Sequence, residues 1–411
     1  MGFVDLDINL TDQQRLLRDE ARKFFMKVWR PAASQLDKLA DPQDVIADNS
    51  VFWDVFRQCY KLGYHKRQLA EKYGGLGIDD PLTNLLITEE MGYAASDLAI
   101  SVSVTSMPFT MATLSPNQEL QNLIRRYCED TEGRLIGCWA ITEPEHGSDL
   151  LYFEGEHLRA PNAIPQVRAK LKGDEYIING QKSAWVSNGT IATHAALFLG
   201  IEPCSGVENC GVAIVPLDLP GVSRGKPLNK IGQRALNQGE IFFDDVRIPA
   251  DYMIYSDPAI YRIVIHNVLA GANANMGVMF AGTARSALDE AITYAKQRIQ
   301  GGKPIIEHQS VKARLFEMFT QVEAARSLSR RVVLYNAQTR TPALAYSIAS
   351  KILSTETAFR VASMAVQIFG GFGLSKDSLI EKIFRDARAS TIEDGVNETL
   401  ALEGADRMLA D

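Results

Sequence analysis

Between Cys138 and Asp149 the chain reads Cys-Trp-Ala-Ile-Thr-Glu-Pro-Glu-His-Gly-Ser-Asp, a run suited to holding a polar ligand. Thr142 and Ser148 carry hydroxyls that donate and accept, and Gly147 lets a ligand approach the backbone closely. Such groups fit a polar planar ring or a phosphate; taken alone, the run suits a turn equally well. A second stretch begins with Asn179-Gly180-Gln181-Lys182, where Asn-Gly favours a tight turn. It continues as Ala184-Trp185-Val186-Ser187-Asn188, which as a strand would put Trp185 and Ser187 on one face. A tryptophan is usually core, but beside polar groups it can wall an aromatic cofactor.

Other chemistries are disfavoured. No GxGxxG opens a helix after a strand, and no GxxxxGK followed by Ser or Thr occurs, which argues against Rossmann and P-loop sites. The six histidines show neither HxxxH nor HExxH spacing, so no metal site is expected. Five cysteines (Cys59, Cys128, Cys138, Cys204 and Cys210) contain no CxxC. Cys204 and Cys210 lack further ligands nearby, and all five read as free thiols of a reducing compartment.

The elements that must position these residues fall into three zones. Residues 1–135 read as helical: Thr11 is a good N-cap, followed by apolar Leu16, Leu17, Ala21, Phe24 and Phe25 at helical spacing. A polar turn region follows at residues 37–50, then a glycine loop at 73–77, then a helix through Ile87, Met91 and Ala94. Residues 136–252 turn β-rich. Two strands are expected within 167–179 around Lys172-Gly173-Asp174, others at 195–200, 212–217 and 240–248, and a loop tip at 205–211. Residues 253–411 return to long helices, expected at 276–300, 311–338 and 342–369, which implies a bundle.

A chain of 411 residues exceeds one growing core, so two or three packed domains are expected. With 46% apolar and 23% charged residues, a large core is available. The net charge of −7, without a basic cluster, argues against a nucleic-acid partner. The first ten residues lack the basic start and apolar core of a signal peptide. No unbroken run of about 18 apolar residues predicts a membrane span, and a cytoplasmic location is expected.

Taken together and in order, the segments around Trp139 and Trp185 resemble the flavin-binding β domain of the acyl-CoA dehydrogenase family. Lys72 and the loop at 73–77 resemble its KYGGLG loop, and Gly232-Gln233-Arg234-Ala235 the start of a middle-domain motif. Ala287-Leu288-Asp289-Glu290-Ala291 and residues 298–309 resemble its first C-terminal helix and following turn. Residues 366–373 (VQIFGGFG) resemble its VQILGGxG loop, and Arg385-Asp386-Ala387-Arg388 the approach to its catalytic loop. The resemblance covers nearly the whole chain. It implies an α+β multidomain fold: an N-terminal helical domain, a middle β-barrel or sandwich domain and a C-terminal four-helix bundle.

The resemblance also implies FAD. Trp139, Ile141 and Thr142 would contact the isoalloxazine ring, with Gly147 beside them and Ser148 near the flavin and the coenzyme A tail. Trp185 and Ser187 would flank the ring's other side. Arg298 and Gln309 would reach the FAD of a neighbouring subunit, and Gln367, Gly370 and Gly371 its pyrophosphate and adenosine. That sharing implies a homotetramer, a dimer of dimers, with an acyl-CoA substrate and an electron-transferring flavoprotein as acceptor.

The family's reaction takes a proton from the carbon beside the thioester while a hydride leaves the next carbon, giving the enoyl-CoA. In many members the base is the Glu of a Tyr-Glu-Gly-Thr loop. Here the loop reads Ile392-Glu393-Asp394-Gly395-Val396, so Asp394 stands where the Glu would be and Glu393 where the Tyr would be. Asp394 is the favoured base, its backbone N–H an oxyanion donor, and Glu393 the second candidate. Asp reaches roughly 1.3–1.5 Å less far than Glu. An alternative base position aligns near Ala272, where no carboxylate stands. Residues 235–239 replace a stretch that often includes Ser-Asp-Thr, Asn273 replaces an Arg, and Gly301 an aromatic. These departures point to an unusual acyl group: cyclic, aromatic or carboxylated. Competing readings are nitroalkane-oxidase-like chemistry, a non-redox desulfinase or lyase, and a catalytically silent flavoprotein partner.

Overall fold

The computed structural model describes residues 6, 9–152, 155, 163–204 and 209–410; most of the expected loop tip at 205–211 and much of the first ten residues lie outside these. Thr11 caps α1 (Asp12–Phe24) with a complete capping box closed by Gln14. A π-helical turn, Phe25–Trp29, carries the chain into α2 (Arg30–Asp37). After α3 (Val51–Lys61) the glycine loop leads to α4 (Pro81–Ala94), capped by Asp80. The short helices α5 (Ser96–Val104), α6 (Met107–Ala112) and α7 (Gln118–Glu129) complete the N-terminal layer.

The middle of the chain forms one sheet from β1 (Gly137–Ala140), β2 (Arg168–Lys172), β3 (Glu175–Lys182), β4 (His194–Ile201), β5 (Cys210–Pro216), β6 (Val222–Arg224), β7 (Ile241–Pro249) and β8 (Met253–Tyr255). Its order is β6-β7-β3-β2-β4-β5-β8, with β1 added in parallel to β4. The hairpin β2–β3 turns at Gly173, whose φ of +69° suits glycine. One expectation is corrected. β3 ends at Lys182, so Trp185 and Ser187 stand in a turn beyond it, with Ser187 bridged singly to Gln238. Asn188 breaks any extension, with φ 62° and its side chain held by Ser101 and Gly137.

The C-terminal helices are α8 (Pro258–Gln297), α9 (Gln309–Gln338), α10 (Leu344–Phe369), α11 (Leu379–Ser390) and α12 (Asn397–Leu409). The expected start of α8 at 276 is eighteen residues late. Asp257 caps Ala259 and Ile260 with Pro258 at the first turn, a start signal masked by the polar Asn267, Asn273 and Asn275 that follow. Between α8 and α9 a two-stranded hairpin, β9 (Ile299–Gln300) and β10 (Lys303–Pro304), turns on Gly301 and Gly302 at φ 62° and 80°. Both positions need a positive φ, which explains why an aromatic is absent at 301. α8 and α10 are long and apolar enough, by length and composition alone, to cross a bilayer, which a count of unbroken apolar runs did not reveal. Their buried sides pack against each other and against α4 and α9.

Helix α4 approaches α8 at backbone distance. A Cβ on Gly92 would stand 2.0 Å from the Met279 carbonyl oxygen, and one on Gly282 2.2 Å from that of Glu89. Beside this crossing, the buried Glu89 receives Arg326 Nε at 3.0 Å, Arg330 Nη2 at 2.7 Å, and Arg285. Burial alone would push the Glu89 carboxyl up, but the three guanidiniums hold it at about 2. Its folded value lies below the ordinary 4.5, so its stabilisation is full above pH 4.5 and fades as pH falls towards about 2. Glu89→Gln is therefore expected to leave buried guanidiniums uncompensated, at a cost of about 3–5 kcal/mol. Thermal melts should show a much lower Tm than wild type at pH 7, with the gap narrowing as pH approaches 3; an equal Tm at pH 7 would refute the network's role.

Candidate active site

The loop between α11 and α12 carries the two adjacent acids and is fixed from four directions. Asn397 N–H donates to Thr391 O at 3.0 Å and closes it. From below, the fully buried Lys351 of α10 donates Nζ–H to Gly395 O and to Asn397 Oδ1, both at 2.7 Å. From the sheet domain, Ser148 Oγ accepts from Val396 N–H at 2.9 Å. From the segment before β7, Gln233 Nε2 donates to Glu393 Oε2 at 3.0 Å. Held this way, Asp394 adopts φ 49°, a left-handed conformation uncommon outside glycine and costing about 1–3 kcal/mol. Gly395 follows at φ 101°, and a Cβ there would meet Leu400 at 2.8 Å.

The two acids are thereby differentiated. Glu393 is half-buried and engaged by Gln233. Burial raises its carboxyl to about 7, against the Gln233 hydrogen bond and the Lys230 charge. The half-buried Asp394 carboxylate accepts no hydrogen bond among the described residues, and neither does its N–H donate to the backbone. Burial raises its carboxyl too, opposed by the charge of Lys351. Lys230, which donates to Leu236 O and Gln238 Oε1, is itself lowered to about 8 by burial despite Glu393, Asp97 and Asp386 nearby.

Next to this loop the sheet domain assembles the residues read from its two motifs. Ile141 packs against the apolar cluster of Leu151, Leu269, Ile348 and Leu400 behind the loop. Lys182, at the end of β3, donates to Ile141 O at 2.8 Å and pairs with the buried Glu143 at 2.7 Å, and Ser183 N–H donates to Thr142 O. Trp139 Nε1 and Ser183 Oγ are buried without a hydrogen-bond partner among the described residues. A Cβ on Gly147 would meet only Thr142 Cγ2, at 3.9 Å. Trp185 is 57% exposed although its neighbour Val186 is buried. Gln238 Nε2 donates to Trp185 O and to Ser187 Oγ. Orphaned donors, an open backbone flank and a bare indole together fit a planar ring with polar edges.

The remaining predicted residues form a separate group at one end of the bundle. Arg298 is the cap residue just after α8 and Gln309 begins α9, both exposed. Gln367, Gly370 and Gly371 are also exposed, and a Cβ on either glycine would meet nothing. Tyr294 joins the two helix ends by stacking on Phe369 at 4.0 Å.

Three models match the chain in succession: acyl-CoA dehydrogenase N-terminal domain at residues 11–124, middle domain at 138–246, and C-terminal domain at 262–409. The chain belongs to the acyl-CoA dehydrogenase family. Members of this family are FAD-dependent oxidoreductases acting on CH–CH bonds, and the orphaned polar atoms of Trp139 and Ser183 and the exposed Trp185 indole suit that cofactor. The family fold, helical then β then helical, is the one expected from the sequence. The chain is 29% identical to cyclohex-1-ene-1-carbonyl-CoA dehydrogenase of Geobacter metallireducens, over 95% of this chain and 96% of the relative. Butyryl-CoA dehydrogenase of Megasphaera elsdenii superposes with a TM-score of 0.85 at 28% identity, covering 98% of this chain and all of that one. A chain from the solved structure of the electron transferring flavoprotein of Acidaminococcus fermentans gives 0.85 at 26%, covering 99% and 100%.

Sequence reasoning missed Gln233, Lys230 and Lys351 as site residues. Lys351 had a readable signal: a lone lysine in the otherwise uncharged stretch Ile348-Ala349-Ser350-Lys351-Ile352-Leu353 of a core helix. The folded Glu393 value of about 7 lies above the ordinary 4.5, so the fold favours its protonated form. That preference stabilises fully below pH 4.5 and is lost as pH rises through about 7. Glu393→Gln, which mimics the protonated acid, should melt at the wild-type temperature at pH 5 and above it at pH 8. Calorimetry showing no pH-dependent gap would contradict the buried environment described here.

Proposed function

We propose that this enzyme oxidises an acyl-CoA thioester to its α,β-enoyl form, with Asp394 as the base. The observation that carries the reading is the contrast within the loop: Glu393 is engaged by Gln233, whereas the Asp394 carboxylate is partly desolvated and free to take a proton. Desolvation raises a carboxylate's basicity towards that of an activated carbon acid. The Asp394 N–H, unused by the backbone, is available to polarise the thioester carbonyl. Bound FAD supplies the hydride acceptor. Trp139, Ile141, Thr142, Gly147, Ser148, Trp185 and Ser187 hold its ring, and Ser148 at the same time ties the ring's loop to the base's loop. Arg298, Gln309, Gln367, Gly370 and Gly371 contact the FAD of a neighbouring subunit in a homotetramer, a role supported by their exposure and open surroundings. An electron-transferring flavoprotein is the acceptor, a reading supported by the likeness to the Acidaminococcus chain.

The acyl group is cyclic. The shorter Asp base, the buried Asn273 whose Oδ1 has no partner among the described residues, and the likeness to the Geobacter enzyme support this. Under anaerobic conditions, cyclohexane-1-carbonyl-CoA, which carries the α- and β-hydrogens this reaction removes, should bleach the flavin absorbance faster than butyryl-CoA; the reverse order refutes the cyclic assignment. Asp394→Asn should lose about 10²–10⁴-fold in the reduction rate, while Glu393→Gln retains most of it. Loss in Glu393→Gln and retention in Asp394→Asn would exchange the two roles. A flavin left oxidised by both thioesters would overturn dehydrogenation itself.

A further inference from the structure

Lys351 lies on the face of α10 that runs beneath the loop of the two acids. It is completely buried, as are Ser347, Ser350, Ser354 and Thr355 around it on the same helix. A buried ammonium is costly unless its N–H groups and charge are satisfied. Two of its donors are accounted for at 2.7 Å, by Gly395 O and Asn397 Oδ1. Asn397 is itself turned by a bond from its Nδ2 to Thr355 Oγ1 at 3.2 Å, and Thr355 Oγ1 donates back to Lys351 O. Of the two residues that receive the ammonium, Gly395 follows Asp394 directly and Asn397 lies three residues on, and among the described residues no carboxylate makes an ion pair with Lys351. Its charge therefore acts through space. The acids facing it are Asp394 foremost, then Glu393, Glu398 and, from its own helix, Glu356. On the other side Gln233 and Lys230 face Glu393, which feels Lys351 more weakly, whereas Lys351 is the one cation acting on Asp394.

We propose that Lys351 is a positioning residue for proton abstraction: it holds the Gly395 carbonyl, and with it the left-handed turn at Asp394, while its charge keeps the Asp394 carboxylate ionised inside a partly desolvated site. This rests on the reading of Asp394 as the base. A hydrogen-bonding role alone would be met by any neutral donor of similar length; the electrostatic role requires a cation. Burial lowers the Lys351 ammonium itself to about 8 despite the surrounding acids, so the support it gives weakens as pH rises past that value.

The test separates charge from contact. Asp394 is followed directly by infrared difference spectroscopy from pH 5 to 9 on FAD-loaded protein labelled with [4-13C]aspartate, its band assigned by loss in Asp394→Asn. In Lys351→Gln, which can still donate to Gly395 O, and in Lys351→Met, Asp394 should ionise at least about one pH unit higher than in wild type, a tenfold smaller ionised fraction below its pKa. Lys351→Arg should restore the wild-type titration. The rate of anaerobic flavin reduction by cyclohexane-1-carbonyl-CoA and by butyryl-CoA should follow, its acidic limb moving up by the same amount. If Lys351→Met does not fold, Lys351→Gln alone decides. An unchanged Asp394 titration in a folded Lys351→Gln protein overturns the proposal. Should Asp394→Asn keep the wild-type reduction rate while the infrared shift still appears, the base assignment fails and the electrostatic coupling of Lys351 to Asp394 stands.

Discussion

A buried ionic chain holds the three parts of this protein in register, and the site depends on it. Lys382 of α11 reaches Asp97 of α5 at 2.8 Å and Asp386 one turn further along its own helix. Asp386 receives the N–H of Gln233, and Gln233 passes the connection to Glu393. Asp97 also accepts from Ala235 N–H. One turn away, Arg385 grips Asp37 of α2 through both nitrogens, at 2.9 and 2.6 Å, and caps Ile231 O. Charged groups this deep are tolerated only when each is matched, and removing one member leaves the others stranded. The same contacts that join the domains thus place Glu393, and by placing Glu393 they leave its neighbour unengaged.

Glycine performs the complementary task. Where the ionic chain pulls parts together, Gly232 lets them meet: a Cβ there would stand 2.4 Å from Arg385 O. Gly277 does the same between α8 and α10, where a Cβ would stand 2.2 Å from Ser350 Oγ, next to the lysine beneath the loop. The motif around Gly232 reads as sequence punctuation, yet its physical content is the close passage of two backbones that carries Gln233 to Asp386.

Much of this was legible before any coordinates. Thr11 announces α1, Gly173 the β2–β3 hairpin, and the alternation of β7 its half-buried face, because each depends on neighbours within a few residues. The acid pair at 393 and 394 was visible through its resemblance to a family motif. What stayed hidden was long-range. Nothing near Lys351 in the chain says that α10 will lie under a loop more than forty residues away. Likewise, nothing near Gln233 says that its amide will meet Glu393. Trp185 was misread for a different reason: the strand pattern around it is sound, but Asn188, locked to Ser101 of α5, bends the chain out of the sheet. A tertiary contact overrode a local preference.

The crossing of α4 and α8 has a consequence for how such a scaffold can diversify. With carbonyl oxygens where a methyl group would otherwise sit, the two helices have no slack in which to slide apart. Room for a bulkier or differently shaped substrate cannot come from moving the walls; it has to come from exchanging side chains, on turns such as those at 235–239 and 394 or at single helix positions such as 273. Variation concentrated at those few sites, on a frame that tolerates almost none elsewhere at its centre, is the pattern this geometry imposes on descent.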